Sequence, residues 1–242
     1  MSSLWHRWAF WISLPLVLPQ GLWLRRTARR LPPAEGAAEG HVGSGPHRKL
    51  VLIGDSIIAG VGIEHLADAM PGRLARALAA QHQCQVHWQA YGYNGASVGD
   101  LLKHLSEVPA QSPIDWVFLS VGVNDVTRLT SGRAWQSRLD ALLTGVAERA
   151  PGACLLLAGV PPMQRFPALP PPLRQVFGWR SARLDRLGAQ VARTHAALHI
   201  PTPVPADPTA FASDGYHPNA RACAEWARAL ALQTPALAPR RG

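Results

Sequence analysis

The chain has 242 residues, of which 48% are hydrophobic and 16% charged, and this composition excludes an intrinsically disordered protein. The net charge of +9 is concentrated at the N-terminus, because residues 1–30 contain five arginines and no acidic residue. The other 212 residues carry only +4, and their arginines form no basic stripe with aromatic residues. We therefore do not expect nucleic acid as a partner.

The first predicted element is an apolar segment of 17 residues, 8–24, with tryptophans near both ends. Its length and aromatic ends are typical of a segment that associates with a membrane. Four arginines follow it and one precedes it, which favours a location of the rest of the chain on the cytoplasmic side. The alternatives for this segment are an uncleaved anchor, an interfacial segment broken by its prolines, and a cleaved signal peptide of a periplasmic or secreted protein. We expect residues 1–30 to be membrane-associated.

A folded domain is predicted to follow a linker. Residues 31–47 are rich in Gly, Pro and Ala and have no hydrophobic periodicity, which indicates a linker, so the domain is expected to span residues 48–242. Short apolar runs then alternate with amphipathic patterns. Strands are predicted at 49–53, 85–90, 116–121, 153–160 and 199–204, and helices at 71–82, 98–105, 133–149, 173–198 and 219–230.

This alternation of strands and helices predicts parallel strands joined by right-handed helical crossovers. The expected fold class is α/β: a three-layer, flavodoxin-like sandwich with an open, mostly parallel, five-stranded sheet and helices on both faces. Ligands of such sheets bind outside the carboxyl ends of the strands. The residues that directly follow each strand are therefore the candidates for a functional site.

Three of the predicted strands are followed by motifs whose side chains or backbone N–H groups could take part in binding or catalysis. Gly54-Asp55-Ser56 follows the first strand, where a glycine permits a tight turn and a serine can enter the crevice, although a lone GDS is more typical of a helix cap. The motif YGYNGAS, residues 91–97, follows the second strand and can present a glycine N–H to a ligand or form an ordinary loop. GVND, residues 122–125, follows the third strand, where Asn124 can donate to an oxyanion or simply favour a turn.

A fourth motif precedes the last predicted helix. In DGYHP, residues 214–218, a carboxylate lies three residues before an imidazole, and Gly215 and Pro218 make the intervening turn compact. Asp214 can then bind the Nδ1–H of His217 and leave Nε2 to accept a proton from a serine. The alternative interpretation is a solvent-exposed turn at the start of a helix.

Together, in this order across residues 51–218, the four motifs resemble the sequence blocks of the SGNH hydrolase superfamily, also known as GDSL lipases and esterases. The resemblance implies that Ser56 is the nucleophile, His217 the base and Asp214 the acid that orients it. The first block departs from the family pattern by reading GDSI instead of GDSL. This exchange of Ile for Leu is expected to change only packing.

The resemblance also implies an oxyanion hole. Its donors would be the N–H of Ser56, the N–H of a glycine in the second block and the side-chain amide of Asn124. Because that block contains more than one glycine, Gly95 is assigned as the donor and Gly92 is the alternative.

The expected function is that of a serine hydrolase that cleaves carboxylic esters or thioesters through an acyl-enzyme on Ser56. The alternatives are an acyltransferase with the same triad and a membrane-tethered interaction protein on an inactive scaffold. The loop at 161–172 is expected to line an acyl pocket or form a lid through Met163, Phe166 and Leu169, or else to be a stiff surface loop. We expect a small or lipid-like ester as substrate and no cofactor or metal, since the histidines lack ligand spacing.

Overall fold

The computed structural model describes residues 29–109 and 113–236, together with residues 15, 17, 19–23 and 26. The described strands are β1 (Glu39–Val42), β2 (His47–Gly54), β3 (Gln85–Gly92), β4 (Trp116–Ser120), β5 (Cys154–Ala158) and β6 (Leu198–Ile200). Within residues 29–109 and 113–236, the α-helices are α1 (Met70–His82), α2 (Val98–His104), α3 (Val123–Thr127), α4 (Gly132–Arg149), α5 (Leu173–Thr194) and α6 (Ala220–Gln233).

The strands form one sheet in the order β1-β3-β2-β4-β5-β6. Every neighbouring pair is parallel except β1 and β3. The central strand β4 is buried over its whole length, as expected for a parallel strand that is covered on both faces. The predicted three-layer α/β fold with a mostly parallel sheet is therefore confirmed.

The two faces of the sheet belong to separate apolar clusters because side chains alternate along each strand. In β2, Val51 and Ile53 pack with residues of α4 and α5, whereas Leu50 and Leu52 pack with residues of α1 and α6. Trp226 of α6 lies edge-on to Phe118 of β4 within the second cluster. The last helix is thus anchored directly beneath the sheet, near the ends of the central strands.

The sheet has one strand that the sequence did not predict. The strand β1 lies within residues 31–47, where we expected a linker, and pairs with β3 with Gly40 opposite Trp88. A Cβ on Gly40 would lie 2.9 Å from the Trp88 indole nitrogen, so glycine permits this contact. The linker expectation is wrong for β1, because its sequence EGHV contains a single large apolar residue and gives no strand pattern.

Helix α5 ends earlier than predicted, at Thr194, and the chain then enters β6 through Ala196 in the left-handed region at φ 50°. The strand β6 stops at Ile200, because Pro201 and Pro203 cannot donate to a sheet.

Most of the predicted membrane segment lies outside the described residues. In the part that is described, Gln20 accepts a hydrogen bond from the Leu173 N–H and donates one to the Pro171 carbonyl, and Val17 is buried. No helix within the described residues has the length and apolarity needed to cross a bilayer.

Candidate active site

Ser56 lies in a tight turn directly after β2. Gly54 is required there, because a Cβ would lie 2.4 Å from the Ser120 carbonyl oxygen of the neighbouring strand. The Asp55 N–H donates to that carbonyl at 3.1 Å, and the Asp55 carbonyl accepts from Ile58 and Ala59. The turn leaves Ser56 half-buried at the carboxyl end of the sheet, where the sequence predicted a functional group.

The turn before α6 positions His217. Gly215 adopts φ +64°, which folds the chain back so that Asp214 Oδ1 accepts the N–H groups of Tyr216 and His217 at 2.9 and 3.1 Å. Asp214 Oδ2 lies 2.6 Å from His217 Nδ1. Burial alone would raise the pKa of Asp214, but the hydrogen bonds from the His217 ring and the two N–H groups hold it below its usual value. The carboxylate is therefore ionised and orients the ring.

These two turns meet across 161 residues of sequence, since His217 Nε2 lies 2.9 Å from Ser56 Oγ. When Nδ1 donates its proton to Asp214, Nε2 is left as an acceptor and the Ser56 hydroxyl donates to it. The structure thus brings the predicted nucleophile, base and acid into one chain of hydrogen bonds. This arrangement can transfer a proton away from the serine hydroxyl.

The two backbone N–H groups predicted for the oxyanion hole are unpaired in the described part of the chain. Among the described residues, the N–H groups of Ser56 and Gly95 donate to no protein acceptor. Gly95 adopts φ +80°, and a Cβ there would meet no atom within 4 Å, so the space on the side-chain side of Gly95 is open. Asn124, in the first turn of α3, donates one amide hydrogen to the Ala96 carbonyl at 3.0 Å and keeps the second available.

A glycine is needed at position 92 for a different structural reason. It is part of β3, and a Cβ at this residue would lie 2.3 Å from the Ala59 nitrogen, in the turn that follows Ser56. The absence of a side chain at Gly92 therefore lets two backbone segments pack together. This geometry favours Gly95 over Gly92 as the donor of the second block.

Two side chains that the sequence did not indicate hold the segment around Gly95 by hydrogen bonds. Arg128 donates to the Gly95 carbonyl at 2.8 Å and to Asp100 at 2.6 Å. Asp125, which is fully buried, accepts from the Val98 N–H at 2.9 Å. Arg128 is distant in sequence from these partners and belongs to no block, so the sequence contains no signal for its role.

Asp55 is a second group that the sequence did not single out. It is buried beside Ser56, and desolvation raises its pKa from 3.8 to about 6, despite the hydrogen bond that its carboxylate accepts from the Ile57 N–H. The charge of His217 acts in the opposite direction and lowers this pKa. The nucleophile is therefore preceded by a carboxyl group that resists ionisation.

A cleft opens beside Ser56 and His217. Its walls are mostly apolar, and they come from the strand ends, the 202–205 loop and α6. The lining includes Val121, Val123, Pro161, Phe166, Pro203, Val204, Phe211, Tyr216 and Trp226.

Of the three residues in the loop at 161–172 that were predicted to line an acyl pocket, the structure places one at the cleft and two in the core. Phe166 lines the cleft and packs edge-on against Phe211 and Tyr216. Met163 and Leu169 are instead fully buried in the core and do not line the cleft, so the pocket prediction is wrong for these two. The 202–205 loop was missed, because only the tertiary fold brings it opposite Phe166.

The sequence of this chain is similar to that of a known protein family. Residues 52–224 match the model of the GDSL-like lipase/acylhydrolase family. The chain belongs to this family. A curated GDSL-like esterase of Mycobacterium tuberculosis is 29% identical over 186 residues, which cover 72% of this chain and 58% of that protein. The resemblance seen in the four blocks is thus confirmed, and the chain spans little more than half the length of this GDSL relative.

Solved structures show the same fold as this GDSL-family chain. The lipase/acylhydrolase from Enterococcus faecalis superimposes with a TM-score of 0.61 at 22% identity, over 77% of this chain and 94% of that one. An acetylxylan esterase from Geobacillus stearothermophilus gives a TM-score of 0.58 at 21% identity, over 82% and 99% of the two chains. At these identities the likeness shows a shared fold.

Among the described residues, no group of three or more His, Cys, Asp or Glu side chains has the geometry to hold a metal ion.

Proposed function

We propose that this protein is a serine hydrolase that cleaves carboxylic esters or thioesters through an acyl-enzyme on Ser56. The observation that carries the proposal is the chain of hydrogen bonds from Ser56 Oγ to His217 Nε2 at 2.9 Å and from His217 Nδ1 to Asp214 at 2.6 Å. Membership of a family of lipases and acylhydrolases supports an ester as the substrate.

In the first step, Ser56 Oγ attacks the carbonyl carbon while its proton moves to His217 Nε2. Asp214 remains ionised and stabilises the imidazolium that forms. The carbonyl electrons move to the oxygen, and the N–H groups of Ser56 and Gly95 with the Asn124 amide stabilise the resulting oxyanion. These donors stabilise charge that exists only after the attack, so they act on turnover more than on substrate binding.

His217 then gives its proton to the departing alcohol or thiol as the bond to the leaving group breaks, which completes acylation. In the second half of the reaction, a water molecule attacks the acyl-enzyme while His217 takes its proton, and His217 returns that proton to Ser56 Oγ as the ester bond breaks and the carboxylic acid leaves. The same residues serve both halves of the cycle.

The cleft favours an apolar acyl group. Phe166, Phe211 and Tyr216 form an edge-to-face cluster on one wall, and Trp226 lines the cleft from α6. Burying an aliphatic chain there contributes about 0.8 kcal/mol per methylene. We assign this cleft to the acyl group because it begins at Ser56, to which that group becomes bonded.

The alternative of acyl transfer differs only in whether water or another alcohol attacks the acyl-enzyme. An inactive interaction scaffold is less favoured, because the three side chains form the hydrogen bonds that catalysis needs. Association of residues 1–30 with a membrane and the cytoplasmic location of the body stay predictions. Cell fractionation with a C-terminal reporter tests both.

The test uses the full chain and nitrophenyl esters and acyl thioesters of increasing acyl length. Ser56→Ala is expected to lower kcat/KM by about 10⁴-fold or more, because the nucleophile is lost. Ser213→Ala is the matched control: this serine is exposed beside Asp214 and should leave kcat/KM within about twofold. Equal rates for wild type and Ser56→Ala would refute the proposal.

Two further series of ester substrates test whether the acyl group or the alcohol group occupies the cleft. Varying the acyl chain with a constant nitrophenol should change kcat/KM strongly, and varying the alcohol with a constant acetyl group should change it little. The opposite pattern would assign the cleft to the alcohol instead. Adding glycerol or a sugar as acceptor and identifying the products distinguishes hydrolysis from acyl transfer.

A further inference from the structure

We propose that Arg128 is a positioning residue for the reaction: its guanidinium fixes the Gly95 peptide so that the Gly95 N–H is aimed at the oxyanion. This inference rests on the proposed function. It assigns a role to a residue outside the four sequence blocks.

The guanidinium joins the segment 95–100 to the end of α3. Its Nη2 donates to the Gly95 carbonyl at 2.8 Å, and its Nη1 donates to Asp100 Oδ2 at 2.6 Å. The Arg128 N–H itself donates to the Asn124 carbonyl at 2.9 Å, which ties this residue to the helix that also carries the Asn124 amide. One short helix therefore holds a proposed donor and restrains a second one.

Gly95 needs such a restraint. Glycine has the largest backbone freedom of any residue, and Gly95 adopts φ +80° with no atom within 4 Å of the place where a Cβ would lie. Side-chain packing therefore does not hold this peptide. Among the described residues, the Gly95 carbonyl accepts a hydrogen bond from Arg128 alone.

The N–H and carbonyl of Gly95 are coupled because they share one Cα and two soft dihedral angles. The Ala96 N–H lies on the same peptide as the Gly95 carbonyl and donates to the Tyr93 carbonyl at 3.0 Å. With the Arg128 bond on its carbonyl this peptide is held at both ends, and the Gly95 N–H can then move only through φ and ψ of Gly95. When the carbonyl is released, the N–H samples directions that miss the oxyanion. An error of about 1 Å in such a group can cost about 100-fold in rate, so a moderate loss of order has a measurable effect on turnover.

Asp100 holds the guanidinium in place. This carboxylate forms a capping box at the start of α2 with Ser97, whose N–H and hydroxyl both donate to it, and these bonds keep its pKa well below the usual value. Asp100 therefore stays ionised and pairs with Arg128 at 2.6 Å. The planar fork of arginine can satisfy a carboxylate and a carbonyl at the same time.

Lys103 supplies the matched control. Its ammonium also pairs with Asp100, at 3.2 Å, but 75% of its side chain is exposed and it has no bond to Gly95. Arg128→Gln and Lys103→Gln therefore each remove one cation from the same carboxylate. Only the first also removes the donor to the Gly95 carbonyl.

With the full chain and a nitrophenyl ester, Arg128→Gln is expected to lower kcat by about 10- to 100-fold while KM changes by less than about twofold. The affinity for an alkylboronic acid, whose adduct with Ser56 resembles the tetrahedral intermediate, should fall by the same factor as kcat/KM. Lys103→Gln should leave kcat, KM and this affinity within about twofold of wild type. Arg128→Lys is expected to give an intermediate kcat, because one ammonium cannot serve both acceptors in the geometry of the fork.

A merely structural role would give a different result. An exposed ion pair contributes little to stability, so the thermal midpoints of Arg128→Gln and Lys103→Gln should be similar. If kcat of Arg128→Gln is unchanged, or if kcat, KM and the thermal midpoint all worsen together, the inference is overturned. Ser56→Ala in the same assay separates this outcome from failure of the proposed function: an inactive Ser56→Ala beside a fully active Arg128→Gln rejects only the role of Arg128.

Discussion

The two sides of Ser56 are built from different interactions. On the side of α3, the segment around Gly95 is held by hydrogen bonds that Asn124 and Arg128 donate and by one that the buried Asp125 accepts from it. On the side of β5 and β6, the cleft is formed by packed apolar side chains such as Phe166 and Phe211. The first side provides directed donors with fixed geometry, and the second provides an apolar surface that tolerates variation in what it contacts.

This contrast separates two tasks. Directed hydrogen bonds stabilise charge at one point and lose their value when that geometry changes, so they determine the rate. Apolar contact depends on buried area and has no preferred direction, so it determines which acyl groups are accepted. Changes on the polar side are therefore expected to act on kcat for every substrate, and changes in the cleft on kcat/KM for particular acyl lengths.

The largest effect in this comparison is expected on the polar side. Asn124→Ala should lower kcat by about 100- to 1,000-fold for all esters, because it removes one of the proposed oxyanion donors and the bond to the Ala96 carbonyl. Thr127→Ala is the control, since this exposed hydroxyl on the same helix donates only to the Asn124 carbonyl among the described residues. A loss that depended strongly on acyl length would break the proposed division between the two sides.

A smaller and selective effect is expected in the cleft. Phe211 is half-buried, and Phe211→Ala should lower kcat/KM about tenfold for medium-chain esters while changing it less than about threefold for acetyl esters, because it removes apolar contact. Leu232→Ala tests the removal of an apolar side chain elsewhere, since Leu232 is 72% exposed and does not line the cleft. Equal losses for all acyl lengths would contradict the assignment of the cleft.

A separate effect concerns stability instead of turnover, and it involves Asp55, which lies where the two sides meet. Its folded pKa of about 6 is above the ordinary value of 3.8, so the folded state binds this proton more tightly than the unfolded state does. The resulting stabilisation is present below about pH 4 and is lost as the pH rises through about 6, an effect of up to about 3 kcal/mol.

Asp55→Asn cannot titrate and should not show this loss. Urea unfolding at several pH values between 4 and 7 is the measurement, with Asp207→Asn as control. Asp207 is exposed, and its hydrogen bonds from Thr209 lower its pKa, so its small contribution has the opposite sign. If wild type and Asp55→Asn show the same pH dependence, Asp55 does not carry the proton we assign to it.

The sequence predicts most of the fold because three of the five expected strands are apolar runs, the strand at 85–90 alternates polar and apolar residues, and the helices between the strands are clearly amphipathic. It misses β1 because one large apolar residue among four gives no pattern, and because pairing with β3 depends on how Gly40 packs against Trp88. The end of α5 was placed too late because residues that favour a helix continue beyond Thr194.

In the candidate site, too, the sequence predicts residues with local motifs and misses those whose roles depend on tertiary contacts. The four blocks gave Ser56, Asn124, Asp214 and His217 because the chemistry of these residue types is readable at strand ends. Arg128 and the 202–205 loop were missed because their roles arise from contacts between segments far apart in sequence. Nothing in the local sequence indicates which carbonyl a guanidinium will reach or which loop will face an aromatic cluster.

The central claim is that Ser56 is a nucleophile activated by His217. Reaction of the full chain with a fluorophosphonate, followed by peptide mass mapping, tests this most directly, because only an activated serine hydroxyl reacts rapidly. We predict a single adduct on the peptide that contains Ser56, which is absent in Ser56→Ala and forms much more slowly in His217→Ala. An adduct on another residue, or equal labelling of wild type and Ser56→Ala, would contradict the account.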